Sequence, residues 1–158
     1  MTDIALAYDP GLGGWDLSLD GADLAQDDGL ETAILLSLFC DRRALDDDPV
    51  PGGSTDRRGW WGDRVAPLER PAQGAGTDPD RYGSRLWLLW QETQRPSLLP
   101  EVRAIVQEAL AWITEDGWAS GMEIVATFPR KGMLALSIAL TRPTGPVSYT
   151  HQVRWGVA

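Results

Sequence analysis

The chain has 158 residues, 43% of them hydrophobic, with a formal net charge of -9 and a pI of about 4.5. That length suffices for one domain with a sizeable core, and the mean hydropathy of -0.22 is that of a soluble globular protein. The negative field repels a phosphate backbone, and the longest apolar run, Ala33–Cys40, is far short of the roughly 20 residues that a membrane span needs, so neither nucleic acid nor membrane is an expected partner.

The first residues, MTDIALAYDPG, lack the basic start and apolar core of a secretory signal, so the chain is expected to be made in a cytoplasm. Ile4, Leu6 and Tyr8 alternate with small or polar residues. Trp15, Leu17 and Leu19 do the same after a DPGLGG turn. This pattern predicts an N-terminal β-hairpin.

Asp28 followed by Glu31 resembles a capping box. A helix is expected from about Gly29 to Cys40, with Leu30, Ala33, Ile34, Leu38 and Phe39 on one stripe and Leu35 and Leu36 widening it. A helix this apolar calls for cover on more than one side. The single cysteine, Cys40, ends that pattern and reads as a buried small hydrophobe. Arg42 and Arg43 follow the helix C-terminus, where cations suit the dipole and can cap it.

Residues 41–80 are rich in Pro and Gly and keep neither period. A stretch of this length without regular structure is usually functional or disordered, and the tryptophans at its centre argue against disorder. Ser84 can cap a short helix, RLWLLWQE, with Leu86, Leu89 and Trp90 on one face. Ser97 opens the clearest helix, with Leu98, Leu99, Val102, Ile105, Val106, Ala109, Leu110 and Ile113 at helical spacing and Gly117 placed to end it. Three alternating segments complete the chain: MEIVATF, MLALSIAL and VSYTHQVRW. They predict an antiparallel three-strand meander. The whole is an α+β domain over residues 1–158, with about three helices set on one face of a sheet and a long functional loop at about 41–80.

Enzymatic signatures are missing. GLGG at Gly11–Gly14 lacks the spacing of a phosphate loop. One cysteine and one histidine do not make an ordinary zinc site. His151 lies on the apolar phase of a strand, which fits a satisfied core histidine better than a catalytic one. Asp46–Asp48 lack EF-hand spacing. No catalytic residue, cofactor or metal is expected. One enzymatic alternative survives on chemistry alone. A glycoside hydrolase needs two spaced carboxylates and an aromatic cleft, and Asp16, Asp20, Glu31, Asp56, Asp63 and eight tryptophans leave that open.

The segment DRRGWWGD, Asp56–Asp63, packs two arginines, two tryptophans and two glycines between two acids. Gly59 and Gly62 permit a tight path around Trp60 and Trp61, and Asp56 and Asp63 are close enough in sequence to pair with Arg57, Arg58 or Arg64. Arginine suits fixed carboxylate geometry. Two readings stand side by side. Either the tryptophans and arginines anchor the long loop internally, or Arg57, Arg58, Trp60, Trp61, Asp63 and Arg64 form a surface for a neighbouring protein.

Four ordered blocks, LETAILLSLFCDRRA, DRRGWWGD, GSRLWLL and EALAWITEDGWA, resemble the Mu-like phage and prophage tail baseplate family, the gene product forty-six family. The likeness runs over about residues 3–156. It implies a compact α+β structural protein of the virion tail baseplate, assembled in the bacterial host and similar to the small sheath-proximal wedge protein of T4-like contractile tails. The implied partners are a larger wedge protein, hub or tube proteins and sheath, with six copies around the tail axis. The Glu-Pro-Arg signature of the T4-like relatives is absent; LERP, Leu68–Pro71, has those residue types in another order. Relatives of this kind have carried a lysozyme label, which keeps a cell-wall glycosidase as the alternative.

Overall fold

The computed structural model describes residues 3–9, 14–27, 29–59 and 82–155. They fall into two compact units, one within residues 1–37 and one within 38–158.

The first unit opens with six short strands: β1 (Asp3–Ile4), β2 (Leu6–Asp9), β3 (Gly14–Leu17), β4 (Leu19–Asp20), β5 (Asp23–Leu24) and β6 (Gln26–Asp27). The expected hairpin is β2 against β3, with Leu6 opposite Leu17 and Tyr8 opposite Trp15. Two further antiparallel pairs, β1–β6 and β4–β5, flank it. The three pairs meet where Ala5 N donates to Ala25 O (2.8 Å), Ala25 N to Ser18 O (2.9 Å) and Ser18 N to Ala5 O (3.1 Å). Each long strand of the sequence pattern therefore changes partner at this junction. Strands β5 and β6 were invisible to periodicity, because two residues are too few to show a period.

Helix α1 (Leu30–Phe39) follows, close to the expected bounds. Leu30, Ile34 and Leu35 are buried, while Leu36 is exposed, so the apolar stripe widens to one side only. Buried Thr32 donates its hydroxyl to Ile4 O at 3.1 Å. The expected cap, Asp28, lies outside the described residues.

The second unit is α+β. It holds 3-10 turns at Pro51–Gly53, Leu86–Leu89 and Pro96–Leu98, helices α2 (Leu99–Ala109) and α3 (Trp112–Glu115), and strands β7 (Gly121–Arg130), β8 (Met133–Arg142) and β9 (Gly145–Arg154). The strands form the expected antiparallel meander with β8 in the centre. On its core face Ile138 sits between Ile124 and Tyr149, and Leu136 between Ala126 and His151. Helix α2 packs on β7 and buries Val102, Ile105, Val106 and Ala109. Leu134, Leu136, Ile138 and Leu140 are fully buried, as are Val102, Val106, Leu110 and Ile113.

The expected single helix from Ser97 is divided. It starts as a 3-10 turn, becomes α at Leu99 and stops after Ala109, where Leu110 takes φ -104 and ψ 6. The break lets Leu110 and Ile113 both face the core. Gly117, at φ +75, follows the end of α3 as expected.

Side chains before α2 tie it to the sheet. Gln94 donates to Met133 O at 2.8 Å and accepts from Gly132 N at 2.8 Å, so one amide secures the β7–β8 turn. Trp155 donates its indole N–H to Glu92 O at 3.0 Å and meets Phe128 edge-on, with centroids 5.3 Å apart. Among the described residues, no helix is long and apolar enough to cross a membrane.

Candidate functional site

The segment Ser54–Gly59 is built from side-chain turns. Ser54 Oγ accepts from Asp56 N at 3.0 Å, and Asp56 Oδ1 accepts from Arg58 N at 3.0 Å. Such turns are what Ser and Asp offer in place of regular structure. They hold Arg58 at φ +51, the one non-glycine with positive φ among the described residues. That conformation costs about 1–2 kcal/mol for a residue with a Cβ.

The two arginines use this geometry differently. Arg57 donates to the carbonyls of Leu45 and of Asp46, the latter at 2.8 Å, and its own carbonyl accepts from Ala44 N at 3.0 Å. Arg58 Nη1 meets Asp41 Oδ2 at 2.7 Å, and its guanidinium carbon lies 4.6 Å from the centroid of the Trp87 ring. Both arginines therefore join residues 54–59 to residues 41–46. Arg58 still leaves 43% of its side chain exposed. Of the other expected contact residues, Trp60, Trp61, Asp63 and Arg64 lie outside the described residues.

The GSRLW block supplies the other wall. Asp41 and Ser84 form an isolated parallel bridge. Ser84 N donates to Cys40 O and Arg42 N to Ser84 O, each at 2.9 Å. Ser84 Oγ donates to Leu38 O at 2.5 Å and accepts from Leu86 N at 3.3 Å, but the residue that caps the 3-10 turn is Arg85, without a side-chain bond, rather than Ser84 as expected. Gly83 has φ +87, and a Cβ there would lie 2.5 Å from Cys40 O. Only glycine allows this backbone approach.

The expected buried face Leu86, Leu89 and Trp90 is corrected to Leu86, Trp87 and Leu89, with Trp90 exposed. The run is a 3-10 turn in which Trp87 and Trp90, three residues apart, share one row, so the period does not separate them; a polar partner holds Trp87 inward. Its indole N–H donates to Arg42 O at 2.8 Å. Cys40 is only half-buried, with its thiol 3.8 Å from the Tyr82 hydroxyl. Burial, aided by that thiol, pushes the Tyr82 phenol up to about 12.

Next to this wall lies an ion network that sequence reading missed. Arg85 Nη1 holds both oxygens of Asp48, at 2.8 and 2.9 Å, and Arg85 Nη2 holds Glu108 Oε2 at 2.7 Å. Arg42 Nη1 holds Glu108 Oε1 at 2.8 Å. Arg42 is 7% exposed and does not cap α1 as expected. The carbonyls of Leu38 and Cys40 go to Ser84 instead. Burial disfavours the charge on Arg85, but the bonds from Glu108 and Asp48 outweigh it and raise its pKa. Arg85 Nε is buried without a hydrogen-bond partner among the described residues. The pairings run over 37, 23 and 66 residues of sequence, so no local spacing could have revealed them.

A cleft of about 620 Å³ opens beside the network. Asp48–Gly52 form one lip, α2 the other, and Leu88, Leu89, Leu98 and Ile105 line its apolar part. Elsewhere in this unit His151 is buried in the sheet, and burial pushes its pKa below the usual value. No cluster that could hold a metal occurs among the described residues.

The family model described as "Phage protein GP46" matches residues 30–147. The baseplate protein gp46 of Escherichia phage Mu is 44% identical over 147 residues, which is 93% of this chain and 92% of that protein. The Mu-like prophage FluMu protein gp46 of Haemophilus influenzae is 33% identical over 158 residues, 99% of this chain and all of that one. No solved structure matches the chain. By the extent of both likenesses, and by a family match that takes in α1, the Arg57–Arg58 segment, the ion network and most of the sheet, this chain belongs to the phage protein GP46 family.

Proposed function

We propose that this chain is a structural, non-enzymatic component of a contractile-tail baseplate that works through protein–protein interfaces. The observation that carries the reading is 44% identity to the Mu baseplate protein over nearly the full length of both chains. In finer detail, the chain acts as an inner wedge near the hub and the start of the sheath, in six copies around the tail axis. Its partners are a larger wedge protein and hub or tube proteins, with sheath close by.

The Arg57–Arg58 segment is the proposed contact surface, together with Trp60, Trp61, Asp63 and Arg64. Arg58 supports this reading. It is held in a costly backbone conformation, with its guanidinium spread over an aromatic face and partly open to solvent. Strain of this kind is kept where surrounding structure over-determines it, often at functional positions.

The test is electron microscopy of tails assembled with and without this chain. Density for six copies around the hub is the expected result. Complete baseplates assembled without the chain would overturn the proposal.

A further inference from the structure

The cleft beside the Arg85 network is pre-formed. Pro49 and Pro51 stiffen one lip, and the bidentate Asp48–Arg85 pair ties that lip to the floor. The other lip is α2, whose Glu101, Ala104, Ile105 and Glu108 recur at helical spacing along the cleft. Glu101 and Glu108 are two turns apart, about 10 Å, with a small and an apolar residue between them.

The charges of the cleft are unequally satisfied. Asp48 and Glu108 are held by Arg85, and Glu92 pairs with Arg95 at 3.2 Å. Glu101 is exposed and has no ion-pair partner among the described residues. The lining carries four carboxylates, Asp48, Glu92, Glu101 and Glu108, against the two guanidiniums of Arg85 and Arg95. An occupant that fits must therefore bring a cation to Glu101 and an apolar side chain to Leu88 and Ile105.

We propose that this cleft docks a short basic, apolar segment of a neighbouring protein, with a Lys or Arg at Glu101 and an apolar residue over Ala104 and Ile105. Two turns of helix correspond to about three extended residues, so a segment of three or four residues spans the α2 lip from Glu101 to Glu108. A second copy of this chain is the poorer occupant, because two chains of net charge -9 repel one another. Placing the partner within a baseplate rests on the function proposed above; the chemistry of the cleft does not.

The test has two arms. In the first, the amide resonances of the full chain are followed while acetyl-Lys-Leu-Lys-amide or acetyl-Glu-Leu-Glu-amide is added to millimolar concentration. The basic peptide is expected to shift Leu88, Glu101, Ala104 and Ile105 in a saturable way, and the acidic one is not. Glu101→Lys should reverse that preference. Equal effects of the two peptides, no shifts, or shifts elsewhere would overturn the proposal.

In the second arm, wild type, Glu101→Lys and Ala104→Trp are compared for support of tail assembly and for self-association by sedimentation. Both positions are exposed, and melting curves check that the variants fold. Loss of assembly in both variants, with the wild type active, supports the cleft. Assembly equal to wild type overturns it and leaves the baseplate reading standing. An effect confined to self-association makes the occupant a second copy and also overturns it. A wild-type chain absent from tails removes the baseplate reading alone, and the peptide arm then decides the cleft.

Discussion

Arg58 lays its guanidinium carbon 4.6 Å from the centroid of the Trp87 ring while its backbone stays at φ +51. The side chain gains and the main chain loses. An exposed cation–π contact contributes about 0.5–1 kcal/mol, and a partly exposed ion pair such as that to Asp41 about 0–1 kcal/mol. Arg58→Ala removes both and keeps the strain, so it should destabilise by about 1–2 kcal/mol in urea titration. Arg58→Gly also removes the strain and should stay within about 1 kcal/mol of wild type. If the two variants unfold together, strain at this position is not the controlling factor. With stability restored, Arg58→Gly also isolates the proposed docking role: it should fold and still fail to support tail assembly.

Gly83 and Gly52 both have positive φ, yet only one is crowded. A Cβ at Gly83 would lie 2.5 Å from Cys40 O, whereas at Gly52 the nearest atom is Gln91 Oε1 at 3.9 Å. Gly52→Ala should cost about 1 kcal/mol, for conformation alone. Gly83→Ala must also push Cys40 and Ser84 apart, breaking the bridge that positions Trp87. It should cost more than about 3 kcal/mol. Thermal melts of the pair provide the comparison, and equal losses would show that this approach of the two backbones is not needed.

Glu108 and Glu101 lie on the same side of α2, but only Glu108 is held by two arginines. Removing one partner of a fully buried pair typically costs about 3–5 kcal/mol. Glu108 retains 35% of its side-chain exposure, so Glu108→Ala should cost about 2–3 kcal/mol after allowing for solvent screening. Most of that loss comes from leaving Arg42 buried without a carboxylate. Glu101→Ala should stay within about 0.5 kcal/mol of wild type. Denaturant titrations of both variants measure the difference. Similar small effects would mean that the network adds no stability.

Burial lowers the pKa of His151, so the folded chain binds this proton less readily than the unfolded chain does. Between the folded value and the unfolded value near 6.5, the unfolded state carries more protons. Stability therefore rises with pH across that window and falls as the pH drops through it. His151→Gln should flatten this part of the melting-temperature profile even if it lowers stability at every pH. An unchanged slope would show that other groups control it.

The regular elements were legible where a period ran long enough to read. The meander's faces, from Leu134 to Leu140 and from Val147 to Trp155, follow directly from alternation, and α1 and the start of α2 follow from helical spacing. What could not be read is short or distant. The two-residue strands β5 and β6 have no period, and the α2–α3 break at Leu110 leaves the apolar spacing intact. Trp87 points inward to a carbonyl, that of Arg42, 45 residues away in sequence. The Arg85–Asp48–Glu108–Arg42 network joins residues brought together only by folding. Arg85, Arg42 and Glu108 stand in the GSRLW, DRRA and EALAW blocks of the family likeness and Asp48 outside them, without any local sign of the pairing.

The hydrolase alternative rests on Asp16, Asp20, Glu31, Asp56 and Asp63, none of which is among the described residues lining the cleft, so a site there would have to use the cleft's own carboxylates. A glycosidase needs two that reach the sugar, one to donate a proton and one to act as nucleophile or base. In the cleft, both oxygens of Asp48 and one of Glu108 accept from Arg85, and the other oxygen of Glu108 accepts from Arg42. Glu92 is engaged by Arg95. Glu101 alone lacks an ion pair there among the described residues, and one carboxylate does not make the required couple. Purified protein should therefore leave the turbidity of a peptidoglycan suspension unchanged, and Glu101→Gln and Asp48→Asn should behave as wild type does. Clearing by the wild type that is lost in either variant would make the chain a hydrolase and place its site in this cleft.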